Sequence, residues 1–250
     1  FIITMRNKLA QKIKLGAALL LMAGTSALAQ ISNQIYIPTP ENIKARQEFQ
    51  DNKFGIFLHW GIYSMTAQGE WYMNTHNINR NEYAKLASGF YPSRFNAAEW
   101  VSAIKTSGAK YICITSRHHD SFSMFDTKEL AEECQKQGIK LHFYYSHLDW
   151  FRDDYPEGNT GHGTGRPKGH GNWESYYKFM NKQLTELLTN YGPVGAIWFD
   201  GIWDQPTNFN WQLEEQYALI HKLQPSCLIG NNHHRTPYAG EDFQMFERDL

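Results

Sequence analysis

Trp198-Phe199-Asp200-Gly201 ends an apolar run with a carboxylate beside an indole. Alternate side chains of a strand share a face, so Trp198 and Asp200 point one way and Phe199 the other. Such a carboxylate can attack an electrophilic carbon while the indole covers an apolar ligand face. It can equally cap the turn before Gly201. A second carboxyl at the same end of the fold would complete the pair that cleaves glycosidic bonds, one acting as nucleophile and the other as acid and base. Glu247, 47 residues further on, is the candidate. Glu241 is its rival and reads as a solvated loop residue.

Other polar residues also follow apolar runs. His59 stands in Phe57-Leu58-His59-Trp60-Gly61, as a core histidine or as a donor to ligand hydroxyls. Arg117-His118-His119-Asp120 follows YICITS. Adjacent histidines could bind a metal, but neighbours on an extended segment point apart and a metal site needs three or more converging ligands. Hydroxyl recognition needs no such convergence and is the favoured reading. Glu70-Trp71 follows Gly69 and could accept from hydroxyls and stack on a ring, or could be a surface acid and a packing indole. The Gly-rich segment Gly158–Gly171 matches no metal motif and reads as a mobile surface loop.

Six apolar runs carry these residues: 54–60, 111–115, 141–145, 196–199, 227–230 and 242–246. Helical patterns separate them. Asn96-Ala-Ala-Glu99 is capping-box-like and opens a helix stopped by Gly108. Leu130–Gln137 is stopped by Gly138, Asn172 caps a long helix ended by Gly192, and Trp211–Leu223 ends before Pro225. Strand–helix alternation predicts an α/β fold with a parallel sheet. Polar residues recur after successive strands, and no G-x-G-x-x-G turn occurs. That favours a (β/α)8-type TIM-like barrel over a doubly wound sheet. Six strands leave such a barrel incomplete at the C-terminus, and an open barrel exposes edges and core.

The 24 basic and 25 acidic residues of the 250 argue against a nucleic-acid partner, which a clear basic excess would announce. The 15% aromatic content, with eight Trp, suits a filled core or a sugar site. Three scattered cysteines give no disulfide framework and no metal spacing. From Met5 a basic stretch, the apolar LGAALLLMAG and Ala27-Leu28-Ala29 read as a secretory signal peptide ending at residue 29. Residues 30–250 are then a partial catalytic domain, secreted or periplasmic and bacterial, with no membrane span.

FGIFLHWGIYS, GEWY, YAKLASGFYPSRFNAAEWVSAIKTSGAKY through ITSRHHDSF, FYYSHLDW and IWFDG occur in that order and resemble the α-L-fucosidases of glycoside hydrolase family 29. The resemblance spans about residues 38–250. It implies a retaining exo-acting hydrolase of terminal α-L-fucose on a fucosylated oligosaccharide or glycoconjugate, with no cofactor or metal. It makes Asp200 the nucleophile. Glu247 becomes the acid/base, five residues after Asp242 in a D-[FY]-x-x-x-E segment. His59, Glu70, Trp71, His118, His119, one of Tyr144 and Tyr145, Trp198 and Arg235 would hold the sugar. Two departures stand out. Met245-Phe246 replaces the Thr-Pro or Thr-Ala common in relatives, and a segment of some twenty residues is expected between Lys128 and Glu129. A metal-dependent hydrolase built on His59, His118 and His119, or a non-catalytic carbohydrate binder, are the alternatives.

Overall fold

The computed structural model describes residues 36–124, 127–169 and 171–247. The signal-peptide reading therefore lies outside the described residues. Among those described, no helix is long and apolar enough to cross a membrane.

Helix α1 (Pro40–Asn52) comes first, and no hydrophobic period announces it. It is set instead by its entry: Pro40 occupies the first turn, and Thr39 Oγ1 accepts from Asn42 N at 3.2 Å. Strand β1 (Gly55–Leu58) follows, then two short helices, α2 (Tyr72–Thr75) and α3 (Arg80–Ala84). From there strand and helix alternate: α4 (Ala97–Thr106), β2 (Tyr111–Arg117), α5 (Lys128–Gln137), β3 (Lys140–Ser146), α6 (Trp173–Asn190), β4 (Ala196–Asp200), α7 (Leu213–Leu223), β5 (Leu228–Asn231) and β6 (Phe243–Gln244).

The predicted caps are present. Asn96 accepts from Glu99 N at 3.2 Å, Asn172 accepts from Ser175 N at 3.0 Å, and Gly138 closes α5 with φ 75°. Helix α7 starts later than expected. Gln212 takes the left-handed φ of 54°, and Trp211 packs into the core instead of starting the helix. Thr127 precedes α5 without a side-chain cap, its hydroxyl buried with no hydrogen-bond partner. That bare entry lies next to the expected gap in the chain.

The six strands form one sheet, all parallel, in the order β1-β2-β3-β4-β5-β6. A doubly wound sheet reverses its strand order at a switch point; a strictly sequential order of parallel strands curls the sheet as in a barrel. The outer face packs Ile112, Ile114, Phe143, Ile197, Phe199 and Ile229 against Val101, Leu130, Tyr176, Met180, Leu184 and Ile220 of the helices. The inner face is closed at its N-terminal end by α1. Phe49 of that helix lies 4.7 Å from the Phe243 ring and 6.5 Å from that of Trp198. The inner face is open above Trp198.

Candidate active site

Register decides which residues meet. Tyr144 pairs with Trp198, and Ser146 with Asp200. Tyr144, Trp198 and Asp200 therefore face inward at the C-terminal end of the sheet, and Tyr145 and Phe199 face the helices. Tyr145 does not belong to the inner face. Its hydroxyl accepts from Arg117 Nη1 at 2.7 Å and donates to Gln183 Oε1 at 2.7 Å, within the layer beneath α6. The sequence leaves the two tyrosines open; the period of two puts Tyr144, not Tyr145, on the inner face.

A cavity of about 880 Å³ lies above the inner face. His59, Glu70, Trp71, His118, Tyr144, Trp198, Asp200 and Glu247 line it, and so do Trp203, Asn232, His233 and His234. Asp200 is nearly buried, and four donors and a histidine nitrogen surround it. Oδ1 accepts from Gly201 N at 2.7 Å, from Trp203 Nε1 at 2.9 Å and from Asn232 Nδ2 at 3.4 Å. Oδ2 accepts from Tyr144 Oη at 2.8 Å and faces His119 Nε2 at 3.6 Å. Burial pushes the Asp200 pKa up, and the hydrogen bonds from Trp203, Tyr144, Gly201 and Asn232 work against that rise. Gly201 lets the chain turn at once: its φ is 95°, and a Cβ there would sit 2.9 Å from Leu148 N. The nucleophile and turn-cap readings of Asp200 are thus compatible, since Oδ1 caps the turn and Oδ2 faces the cavity.

Asn232 joins the two carboxylates. The nitrogen that reaches Asp200 donates to Glu247 Oε2 at 2.9 Å. One atom within bonding reach of both holds those oxygens at most about 6 Å apart, the order of the about 5–5.5 Å seen between retaining carboxyl pairs. Glu247 is carried there by β6, which Asp242 fastens. Asp242, whose side chain is fully buried, accepts from Arg46 Nη2 at 2.6 Å and Ile229 N at 2.7 Å and lies 3.0 Å from His221 Nε2.

The histidines at the end of β2 crowd together. The rings of His118 and His119 are 4.1 Å apart, contrary to the expectation that neighbours diverge, because the strand stops at Arg117 and the chain turns there. Ser146 Oγ donates to Leu148 O at 2.7 Å, so it accepts from His119 Nδ1–H at 2.7 Å. That leaves Nε2 of a neutral His119 as an acceptor facing Asp200. Burial and the Arg117 charge lower its pKa to about 3, and burial likewise drives that of His118 well below its ordinary value. His59 is also lowered by its enclosure, against the pull of Glu70, Asp200 and Glu247. Among the described residues, no three His, Cys, Asp or Glu side chains are grouped to hold a metal ion.

The aromatic walls are polarised. Trp71 stacks on Trp203 at 5.7 Å and 17°. Trp198 turns its indole N–H down to His142 Nδ1 at 3.2 Å and offers the cavity only its ring. Two expectations need correction. Arg235 is not among the cavity residues; His233 and His234, just before it, are. Glu241 is no solvated loop residue. Its side chain is 1% exposed, bound by His233 Nε2 and Tyr217 Oη at 3.0 Å each, and so holds the loop that follows β5. The Gly-rich segment is pinned by the buried Asp204, which accepts from Thr160 N at 2.8 Å and from Thr160 Oγ1 at 2.7 Å.

Trp203 and Asn232 were not singled out as site residues from the sequence. Asn232 carried a signal, as a polar residue just after a strand. Trp203 carried none, because its reach depends on how the chain turns at Gly201.

A carboxyl pair under aromatic walls, at the C-terminal end of a barrel-type parallel sheet, is the site architecture of glycoside hydrolases. The chain matches the family described as Alpha-L-fucosidase over residues 23–250. It is 30% identical to the alpha-L-fucosidase of Dictyostelium discoideum over 236 residues, 76% of this chain and 49% of that protein. It is 27% identical to the plasma alpha-L-fucosidase of Homo sapiens over 234 residues, 75% of this chain and 46% of that protein. The solved alpha-L-fucosidase isoenzyme 1 from Paenibacillus thiaminolyticus superimposes with a TM-score of 0.69 at 32% identity, covering 76% of this chain and 50% of that one. The chain belongs to the α-L-fucosidase family, glycoside hydrolase family 29. It spans about half the length of the curated relatives it matches.

Proposed function

We propose that this chain carries the catalytic pair of a retaining, exo-acting α-L-fucosidase that releases terminal α-L-fucose from oligosaccharides or glycoconjugates. The observation that carries the reading is the Asn232 amide shared by Asp200 and Glu247. Asp200 attacks the anomeric carbon while Glu247 gives its proton to the departing oxygen. A C1–O bond to Asp200 forms as the glycosidic bond breaks. Glu247 then takes a proton from water, the water oxygen bonds to C1, and the ester to Asp200 breaks, with net retention.

Oδ1 is saturated by three donors, so Oδ2 is the attacking atom. His59, Glu70 and His118 hold sugar hydroxyls, and Trp71 and Trp198 cover the ring. The sequential order of the six strands supports a place for them in a (β/α)8 barrel. The basic, apolar and Ala27-Leu28-Ala29 segments support export, as a secreted or periplasmic bacterial protein.

The test is Asp200→Ala in the whole protein, assayed on an aryl α-L-fucoside. Turnover falls on the order of a thousand-fold or more, and azide restores part of it with an inverted product. Unchanged turnover removes Asp200 from the role.

A further inference from the structure

Phe246 is a large apolar side chain left 46% exposed at the cavity mouth. It directly precedes Glu247. Its ring meets that of His234 at 5.8 Å and 66°, so the two form an aromatic corner. His234 is held there at a cost. Its φ of 54° lies in the left-handed region, which a side chain other than glycine adopts uncommonly. What holds it is Asn232, whose Oδ1 accepts from His234 Nε2 at 3.0 Å. The other end of the same amide donates to Glu247 Oε2 at 2.9 Å. One side chain therefore fixes both the proton donor and the corner beside it.

We infer that Phe246 and His234 form the leaving-group subsite, which takes the pyranose ring to which the fucose is attached. The inference rests on the fucosidase reading. Asp200, His118 and Tyr144 lie buried at the floor, where the reacting sugar must reach the nucleophile. The acid must touch the departing oxygen, so the departing sugar lies on the Glu247 side and toward solvent. Phe246 and His234 are the exposed aromatic pair on that side. Both line the cavity beside Glu247, and an aromatic face there complements the axial C–H face of a pyranose. With Nε2–H engaged by Asn232, His234 Nδ1 is an acceptor and can take a hydroxyl of that ring.

The experiment compares kcat/KM on a fucosyl disaccharide with that on α-L-fucosyl fluoride, whose leaving group is too small to reach the corner. In Phe246→Ala of the whole protein the disaccharide-to-fluoride ratio falls about tenfold, the scale of one lost aromatic stacking contact. Phe246→Trp restores the ratio. A ratio unchanged in Phe246→Ala, whether both rates hold or both drop together, overturns the subsite. If the unsubstituted protein cleaves neither substrate, the fucosidase reading fails and the subsite falls with it. If it cleaves both and only the ratio fails to move, the subsite alone is lost.

Discussion

Asp200 shows how one carboxylate can be divided between two tasks. Its Oδ1 is tied by Gly201 N, Trp203 Nε1 and Asn232 Nδ2, and its Oδ2 keeps Tyr144 as a single hydrogen-bonding partner. Trp203 is thus a positioning residue: it stacks on Trp71 and stabilises the ionised form of Asp200. Trp203→Phe keeps the stacking and loses the N–H donor. The Asp200 pKa then rises, and the acid limb of kcat/KM moves to higher pH. A lowered kcat with an unmoved acid limb would assign Trp203 to packing alone. Arg235 teaches the same lesson from the other side. The family resemblance nominated it, but the backbone places His233 and His234, not Arg235, at the cavity.

At the scale of elements, the short strand β6 is the vulnerable piece. Only two residues pair with β5, so the strand depends on side chains for its place. Asp242 supplies them by joining α1 through Arg46, α7 through His221 and β5 through Ile229 N. Asp242→Ala leaves those donors without their acceptor, and stability falls by at least about 2 kcal/mol, read as a lower urea midpoint with the slope unchanged. Activity falls more steeply, because β6 delivers Glu247. Full activity in this variant would show that Glu247 is held by other means. The marker Asp of the sequence motif is therefore a structural anchor for Glu247 five residues later. Helix α1 adds to this. Its Phe49 meets Phe243 on β6 and Trp198 on β4, so the element the apolar period did not announce is the one that floors the site.

At the scale of the whole molecule, buried titratable groups set opposing pH responses. Burial is the leading cause that lowers His119, His142 and His147 to about 3, against about 6.5 in an unfolded chain. Between those values the unfolded chain binds protons that the folded one refuses, so these histidines make stability rise with pH and fall toward acid. Asp120 acts in the opposite sense. Burial raises it to about 7, so between roughly pH 4 and 7 the folded state holds a proton that the unfolded chain has released, and stability falls as pH rises. Urea midpoints measured from pH 7 to 4 test both signs. His142→Gln flattens the acid loss, and Asp120→Asn steepens it. Identical pH profiles for variant and parent would mean that these groups titrate alike in the folded and the unfolded chain.

The strands, most helices, their caps and Asp200 were readable in the residues, because alternation, helical period and capping chemistry are local and leave a local pattern. The choice between Tyr144 and Tyr145 waited on the register of β3 against β4. The closeness of His118 and His119 waited on where β2 ends, and the burial of Glu241 on the fold of the loop that follows β5. Trp203 and Asn232 became site residues only when a turn and a strand end aimed them at Asp200. Residue identity and spacing determined which chemistry this chain can attempt. Convergence of side chains that are distant in sequence depends on register, turn direction and crossover packing, and only the tertiary structure decided those.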